Sequence, residues 1–236
     1  MLDYLSGKGR SHINGVDAQG KTALRHAVAQ NDTNVVTWLL DHDANPNTQD
    51  ENGCNSLHEV AKLNRANMIE VLLANGANAE AKSTAGCTPL HYAVQENCVG
   101  ALTVLLDHGA DIESKGEDDF TSLHYAAEVG NEAVVALLLR RGAHIDPRDK
   151  WGHTPLHRSI LRGHIDTSEL LLEQGATIDA KDIDDNTSLH FAAQEGNAAM
   201  VELLLVRGAD KKATNKDALT PLHCAVQLGH LPITKA

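Results

Sequence analysis

The sequence of 236 residues contains few aromatic residues, which make up only 3% of it. Because 42% of the residues are hydrophobic but only seven are Trp, Tyr or Phe, we expect a thin core of Leu, Val and Ala. Basic residues are also in deficit: 20 Lys and Arg stand against 32 Asp and Glu, for a net charge of −12. Nucleic acids and anionic membranes are bound mainly by neutralising phosphates, so this balance argues against both as general partners.

Long apolar runs are absent too, since no stretch of about 18 uninterrupted apolar residues could form a membrane span. The first ten residues carry charge where a signal peptide needs an apolar segment. The four cysteines form no C-x-x-C pair and no dense framework, which is typical of a reducing compartment. We therefore expect an intracellular protein, cytoplasmic or nuclear, with no membrane association.

A period of 33 residues runs through the chain. Seven similar strings begin at positions 22, 55, 88, 121, 154, 187 and 220: TALRHA, NSLHEV, TPLHYA, TSLHYA, TPLHRS, TSLHFA and TPLHCA. Constant spacing over seven copies, without an insertion, indicates one supersecondary unit repeated along the chain. The pattern resembles the ankyrin repeat, whose signature is TPLHxA at this period.

The resemblance implies an all-α solenoid of stacked helix-turn-helix units joined by hairpin-like loops, because one helix pair cannot bury its apolar face alone. The expected repeats follow a partial preceding repeat at 1–16 and occupy 17–49, 50–82, 83–115, 116–148, 149–181, 182–214 and a truncated 215–236. The last range is short of a full repeat, so we expect the chain to be part of a longer array.

The residues of one unit fit this architecture. Leu123, Ala126 and Ala127 lie at helical spacing and form a narrow apolar face, and a more apolar second helix follows Gly130-Asn131. The Thr that opens each string is a good N-cap, and Pro is tolerated at the next position.

Three hairpins lack the glycine that the other four have at the turn. Asp119, Asp185 and Ala218 stand where other repeats have Gly20, Gly53, Gly86 and Gly152. Asp tolerates the left-handed conformation moderately and Ala tolerates it poorly, so the last hairpin is predicted to be the least stable.

Residues 15–22 fit GxxxxGK[ST], the nucleotide-binding P-loop. A P-loop requires a buried strand before it, and the preceding GRSHIN is a poor strand. Asp17, Gly20 and Thr22 also coincide with hairpin positions that recur in later repeats, so we interpret the match as hairpin chemistry.

Cys and His recur as a pair, Cys54 with His58 and Cys87 with His91, which resembles zinc-ligand spacing. The His belongs to the TPLH string, and in ankyrin proteins it faces inward and hydrogen-bonds between hairpins. The Cys lies at the hairpin tip, so the four groups would not converge tetrahedrally. We expect no metal, no cofactor and no enzymatic activity.

The ankyrin resemblance implies recognition at the hairpin tips and on the exposed face of each first helix. Five of the seven aromatic residues fall at these positions, and Arg158 and Arg162 accompany them at i, i+4. A central aromatic and arginine cluster is typical of a binding hot spot. The predicted partner-binding residues are Phe120, Tyr125, Trp151, His153, Arg158, Arg162 and Phe191. The alternative for Tyr92, Tyr125 and Phe191 is packing between helices.

A basic column precedes successive hairpins at Lys82, Lys115, Arg148 and Lys181. It is either a solvated face or a site for an acidic peptide or anionic ligand. The favoured function is a non-catalytic scaffold that binds another protein through a concave groove, as a monomer or as part of a longer chain. The alternative is a regulatory or ligand-sensing segment of a larger enzyme or nucleotide-driven receptor.

Overall fold

The computed structural model describes residues 12–230, and this part of the chain forms thirteen α-helices and no strand. Contacts divide the chain into unit 1, Met1–Glu117, and unit 2, Asp118–Ala236. The helices of unit 1 are α1 Ala23–Gln30, α2 Thr33–Asp41, α3 Ser56–Lys62, α4 Ala66–Ala74, α5 Pro89–Gln95 and α6 Val99–Asp107. Those of unit 2 are α7 Ser122–Val129, α8 Glu132–Arg140, α9 Pro155–Leu161, α10 Ile165–Glu173, α11 Ser188–Gln194, α12 Ala198–Val206 and α13 Pro221–Gln227. The predicted all-α architecture of helix pairs is confirmed.

Helices of the same kind stack on one another within each unit. In unit 1 the first helices α1, α3 and α5 pack in series, and α4 packs on α6. In unit 2 the first helices α7, α9, α11 and α13 pack in series, as do the second helices α8, α10 and α12. The interfaces contain small and branched apolar side chains such as Leu123, Ala126 and Val134, all almost fully buried. The core is therefore built from Leu, Val and Ala, as the composition predicts.

From α3 onward, the repeated string begins each first helix with a reciprocal cap. The Thr154 backbone N–H donates to His157 Nδ1 at 3.1 Å, and Thr154 Oγ1 accepts from the His157 backbone N–H. Pro155 occupies the first helical position, where its missing N–H costs nothing. The string is thus a helix-start signal.

The same histidines join neighbouring repeats within each unit. His58 Nε2 lies 3.1 Å from the Cys87 carbonyl oxygen, and His157 Nε2 lies 3.0 Å from that of Ala180. Burial lowers the pKa of His157 to about 3 and that of His124 to about 4. These rings are therefore neutral, with Nδ1 as acceptor and Nε2 as donor.

The hairpin-like loops are tight turns organised by a side-chain acceptor. The Asp149 carboxylate accepts the backbone N–H groups of Trp151 and His153 at 2.8 and 2.9 Å, and Gly152 between them has φ 75°. At the same position Asp185 has φ 62° and Ala218 has φ 58°. The left-handed conformation predicted for Ala218 is present, and it is unfavourable for Ala.

Candidate functional site

Six of the seven predicted partner-binding residues lie together in unit 2. The ring centroid of Phe120 is 5.1 Å from that of Tyr125 and 6.4 Å from that of Trp151. The His153 ring lies 6.1 Å from Trp151 and 5.1 Å from Phe191. We call these five residues, together with Arg158, the aromatic cluster. The 33-residue period brings them together because they stem from equivalent places in successive repeats.

Arg158 is the centre of the aromatic cluster. Its guanidinium carbon lies 4.4 Å from the Phe120 ring centroid and 4.7 Å from that of Trp151. Its Nε also donates to Asp149 Oδ2 at 2.8 Å, and a second nitrogen binds the same oxygen. The Asp149 side chain has no exposed surface. Charge-assisted hydrogen bonds and ring contacts therefore hold the guanidinium in one place.

Trp151 contacts a second cation. Lys150 Nζ lies 4.2 Å from the Trp151 ring centroid and also binds the Asp118 carboxylate. Trp151 is half-buried. The Trp151 ring is therefore held between two cations while part of it stays open to solvent.

Three members of the cluster lie beneath its surface. Phe120, Tyr125 and Phe191 are only 6%, 9% and 7% exposed. Phe120 stands at a hairpin tip in the sequence pattern, but its ring turns inward under Arg158. The partly exposed surface of the cluster consists of Trp151, His153 and Arg158.

Arg162 is the predicted residue that the structure does not bring into the cluster. It is exposed, and its guanidinium donates to the Glu128 carboxylate of α7, with Nε at 3.1 Å. The i, i+4 spacing places it one turn after Arg158, where it faces the preceding first helix instead of the aromatic rings.

His153 lies between two buried carboxylates. Its Nδ1 is 3.8 Å from Asp149 and its Nε2 is 3.6 Å from Asp182, while Nδ1 has no hydrogen-bond partner. Burial lowers the pKa of His153, and the positive charge of Arg158 lowers it further. The ring is thus neutral near pH 7.

The P-loop-like segment 15–22 folds as a hairpin. Asp17 Oδ1 accepts the backbone N–H groups of Gln19 and Lys21 at 2.8 and 3.0 Å, and Val16 pairs with Thr22 in an antiparallel bridge. The hydrogen bond from Lys21 is the main reason that the pKa of Asp17 falls to about 2. Those amides therefore bind a carboxylate of the protein, whereas a P-loop offers them to a phosphate.

The Cys and His pairs are also engaged in local contacts. Cys54 Sγ lies 3.4 Å from the Tyr92 hydroxyl oxygen, and both ring nitrogens of His58 are hydrogen-bonded. Within residues 12–230, no three His, Cys, Asp or Glu side chains are grouped as a metal site would require. In the same range, none of the helices has the length and apolar character that crossing a membrane requires.

Side chains of the basic column donate hydrogen bonds to backbone carbonyl groups of the next repeat in the same unit. Lys82 Nζ donates to the Lys115 carbonyl at 2.9 Å, and Lys181 Nζ donates to that of Thr214 at 3.2 Å. Arg148 donates to the carbonyls of Gly152 and Lys181. These cations are partly used in satisfying exposed carbonyl groups between repeats.

Comparison with known proteins agrees with this geometry. Models of ankyrin repeats in three copies match residues 26–116 and 114–182, and models of ankyrin repeats in many copies match 1–40 and 170–225. These ranges cover most of the chain. The chain belongs to the ankyrin repeat family.

A solved ankyrin structure resembles this one over nearly its full length. It is the ankyrin repeat domain of Bcl-3, described as a unique member of the IkappaB protein family. The likeness has a TM-score of 0.82 at 29% sequence identity and covers 92% of this chain and 100% of that domain. No curated protein sequence matches this chain significantly. Ankyrin repeat domains generally bind other proteins and are typically non-catalytic, so these findings support a protein-interaction scaffold in general.

The first ankyrin repeat contains a feature that the sequence analysis overlooked. Its string reads TALR, so Arg25 stands where the later repeats have His58, His91 and their equivalents. Arg25 is 4% exposed and lines a cleft of about 380 Å³ in unit 1. The departure of this string from TPLH is the signal that could have pointed to the cleft.

Proposed function

We propose that this ankyrin repeat protein is a non-catalytic scaffold that binds another protein through Trp151, His153, Arg158 and Arg162 of unit 2. Phe120, Tyr125 and Phe191 would support this surface from below. The observation that carries the proposal is the placement of Arg158, which two rings and a buried carboxylate hold in a fixed position.

A surface of this composition suits protein recognition for two reasons. Trp and Arg are the residues most often found at binding hot spots, because they combine large contact area with hydrogen-bond donors. Side chains that are already ordered lose less entropy when a partner binds. The Asp149–Arg158–Trp151 arrangement provides that order before binding.

The test is a capture experiment from a lysate of the source cells. The immobilised wild type is compared with a Trp151→Ala/Arg162→Ala variant and with Arg140→Ala, which changes an exposed arginine at the end of α8. Phe120 and Arg158 are left intact because removing either would disturb buried groups.

We expect a protein that the wild type and the Arg140→Ala control capture equally and that the double variant captures at least about 30-fold more weakly, as for a hot-spot loss of about 2 kcal/mol. The far-UV circular dichroism of the three proteins should coincide. Equal capture of all partners by all three proteins would contradict the proposal.

A further inference from the structure

The cleft of unit 1 has a composition unlike that of the aromatic cluster. Its volume is about 380 Å³, and its lining comes from the first three hairpins and from helices α1, α3 and α5. The charged side chains that line it are Lys21, Arg25, Asp50, Glu59 and Lys62. A cleft of this size admits one side chain together with part of a peptide backbone.

Arg25 is the buried charge at this site. One terminal nitrogen donates to the Cys54 carbonyl oxygen at 2.6 Å, which reproduces the bond that His58 makes to Cys87 one repeat later. The guanidinium also lies 2.8 Å from Asp50 and 3.4 Å from Glu59. Arg25 thus makes the same hydrogen bond to the next hairpin as the histidine of the other repeats, and it has additional N–H donors.

One of those donors is left without a partner. A histidine at this place uses Nδ1 as an acceptor, but every nitrogen of arginine is a donor. Arg25 Nε is buried and has no hydrogen-bond partner. Such a group costs about 1–3 kcal/mol unless something accepts its hydrogen bond, so a ligand acceptor that drew the guanidinium towards the cleft would recover that free energy.

The charges of the cleft favour an anionic acceptor. Arg25 is engaged by Asp50 and Glu59 together, which leaves the two lysines to set the balance. Lys21 makes no side-chain hydrogen bond or ion pair within residues 12–230. Lys62 has only a long contact of 3.6 Å to Glu96, with both groups about half exposed. The five lining charges sum to one net positive charge in a chain of net charge −12.

We propose that this cleft binds the carboxylate of an Asp or Glu side chain in a peptide segment of a partner protein. Arg25 and Lys21 would provide the charge-assisted hydrogen bonds, and the exposed Asn52 would contact the peptide backbone. A monoanion is favoured over a phosphate because Asp50 and Glu59 lie within the same cleft and would repel a dianion more strongly. The site lies wholly in unit 1 and does not depend on the aromatic cluster of unit 2.

The test uses two peptides of defined sequence, Gly-Ser-Glu-Glu-Ser-Gly and its counterpart with both Glu replaced by Gln. Binding to the full 236-residue chain is followed by two-dimensional amide NMR at low salt, and inorganic phosphate serves as a third ligand. The variants are Arg25→His, which restores the residue of the other repeats, and Lys21→Gln, which removes a side chain that has no partner among the described residues. Lys212→Gln in unit 2 is a control with the same change of charge at an exposed position.

We expect saturable shifts of the amides of Lys21, Asn52 and Cys54 with the Glu peptide, at a dissociation constant on the order of 1 mM, and no saturable shifts with the Gln peptide. Arg25→His and Lys21→Gln should each weaken binding at least about fivefold, whereas Lys212→Gln should bind as the wild type does. Absence of saturable binding, equal binding of the Gln peptide, tighter binding of phosphate or unchanged binding by Arg25→His would each overturn the proposal. Because the variants lie outside the aromatic cluster, these results are independent of the capture experiment.

Discussion

At the scale of single residues, the turn positions of the hairpins are the most constrained. Gly53 and Gly152 have φ near 70°, and Asp185 and Ala218 take the same conformation at the equivalent place. This could be predicted from the sequence, because the strict 33-residue period aligns every copy with those that have glycine. The free energy of each position then depends on the residue that occupies it.

Gly53 is constrained by space as well as by conformation. A Cβ at this position would lie 2.8 Å from the Thr84 backbone nitrogen, whereas a Cβ on Gly76, which also has positive φ, would meet nothing within 4 Å. We predict that Gly76→Ala lowers the free energy of unfolding by about 1–2 kcal/mol and Gly53→Ala by about 3 kcal/mol or more. Urea titrations measure both. Equal losses of unfolding free energy in the two variants would show that Gly53 is not in close contact with the next hairpin.

Ala218 is strained in the last described hairpin. We predict that Ala218→Gly raises the free energy of unfolding by about 1 kcal/mol, because glycine adopts φ 58° without steric cost. The control Ala213→Gly, at a position without positive φ, should lower it by about 0.4–1 kcal/mol through chain entropy. Thermal unfolding shows whether each variant is more or less stable than the wild type. Destabilisation by Ala218→Gly would contradict the inferred backbone strain at Ala218.

The period could not reveal how side chains at equivalent positions are oriented. Phe120 and Leu219 occupy the same place in their repeats, yet Phe120 is buried under Arg158 while Leu219 is partly exposed. The difference depends on the neighbouring repeat, where Trp151 and Arg158 happen to complete a pocket for the ring. The sequence therefore predicted which residues come together, with the exception of Arg162, but not which of them face solvent.

At the scale of elements, one ion pair fastens a hairpin to the helix that follows it. Arg158 of α9 binds Asp149, whose carboxylate also holds the amides of Trp151 and His153. The TPLH string and its cap could predict where α9 begins. It could not predict this pair, because the equivalent helix position holds Glu, Tyr, Phe or Cys in five other repeats; in the first repeat His26 lies 2.8 Å from Asp17 in the same way.

This pair predicts a large contrast between two neighbouring arginines. Arg158→Ala should lower the free energy of unfolding by about 3 kcal/mol, since it leaves the buried Asp149 carboxylate without a cation. Arg162→Ala should lower it by less than about 1 kcal/mol, since its side chain is 58% exposed. Urea denaturation of the two variants distinguishes them. A loss below about 1 kcal/mol for Arg158→Ala would mean that the pair does not hold the hairpin.

At the scale of the whole molecule, the buried histidines couple stability to pH. Burial lowers the pKa of five of them, to about 4 for His91 and His124, to about 3 for His157, and below its ordinary value for His58 and His190. In the unfolded chain the pKa of each returns to its ordinary value of 6.5, so the unfolded state binds more protons below that pH.

The sign of the effect follows from this difference. Stability from the neutral rings is fully present above pH 6.5 and is lost as the pH falls from 6.5 towards about 4. We predict a fall in the free energy of unfolding of up to about 1.4 kcal/mol per pH unit for each histidine in this window. Urea titrations at pH 7.5, 6 and 5 measure it. His157→Asn should reduce the slope of the unfolding free energy against pH by the contribution of one histidine. A flat profile would contradict the neutral, buried state.

The proposed partner-binding surface is tested most directly by photocrosslinking. The crosslinker p-benzoylphenylalanine replaces Arg162, which lies one helical turn after Arg158, or, as a control, the exposed Arg140 at the end of α8. After irradiation in a lysate of the source cells, we predict a discrete adduct with one protein from position 162, reduced by Trp151→Ala, and no such adduct from position 140. Identical adducts from both positions, or an adduct from 162 that Trp151→Ala leaves unchanged, would contradict binding through this surface.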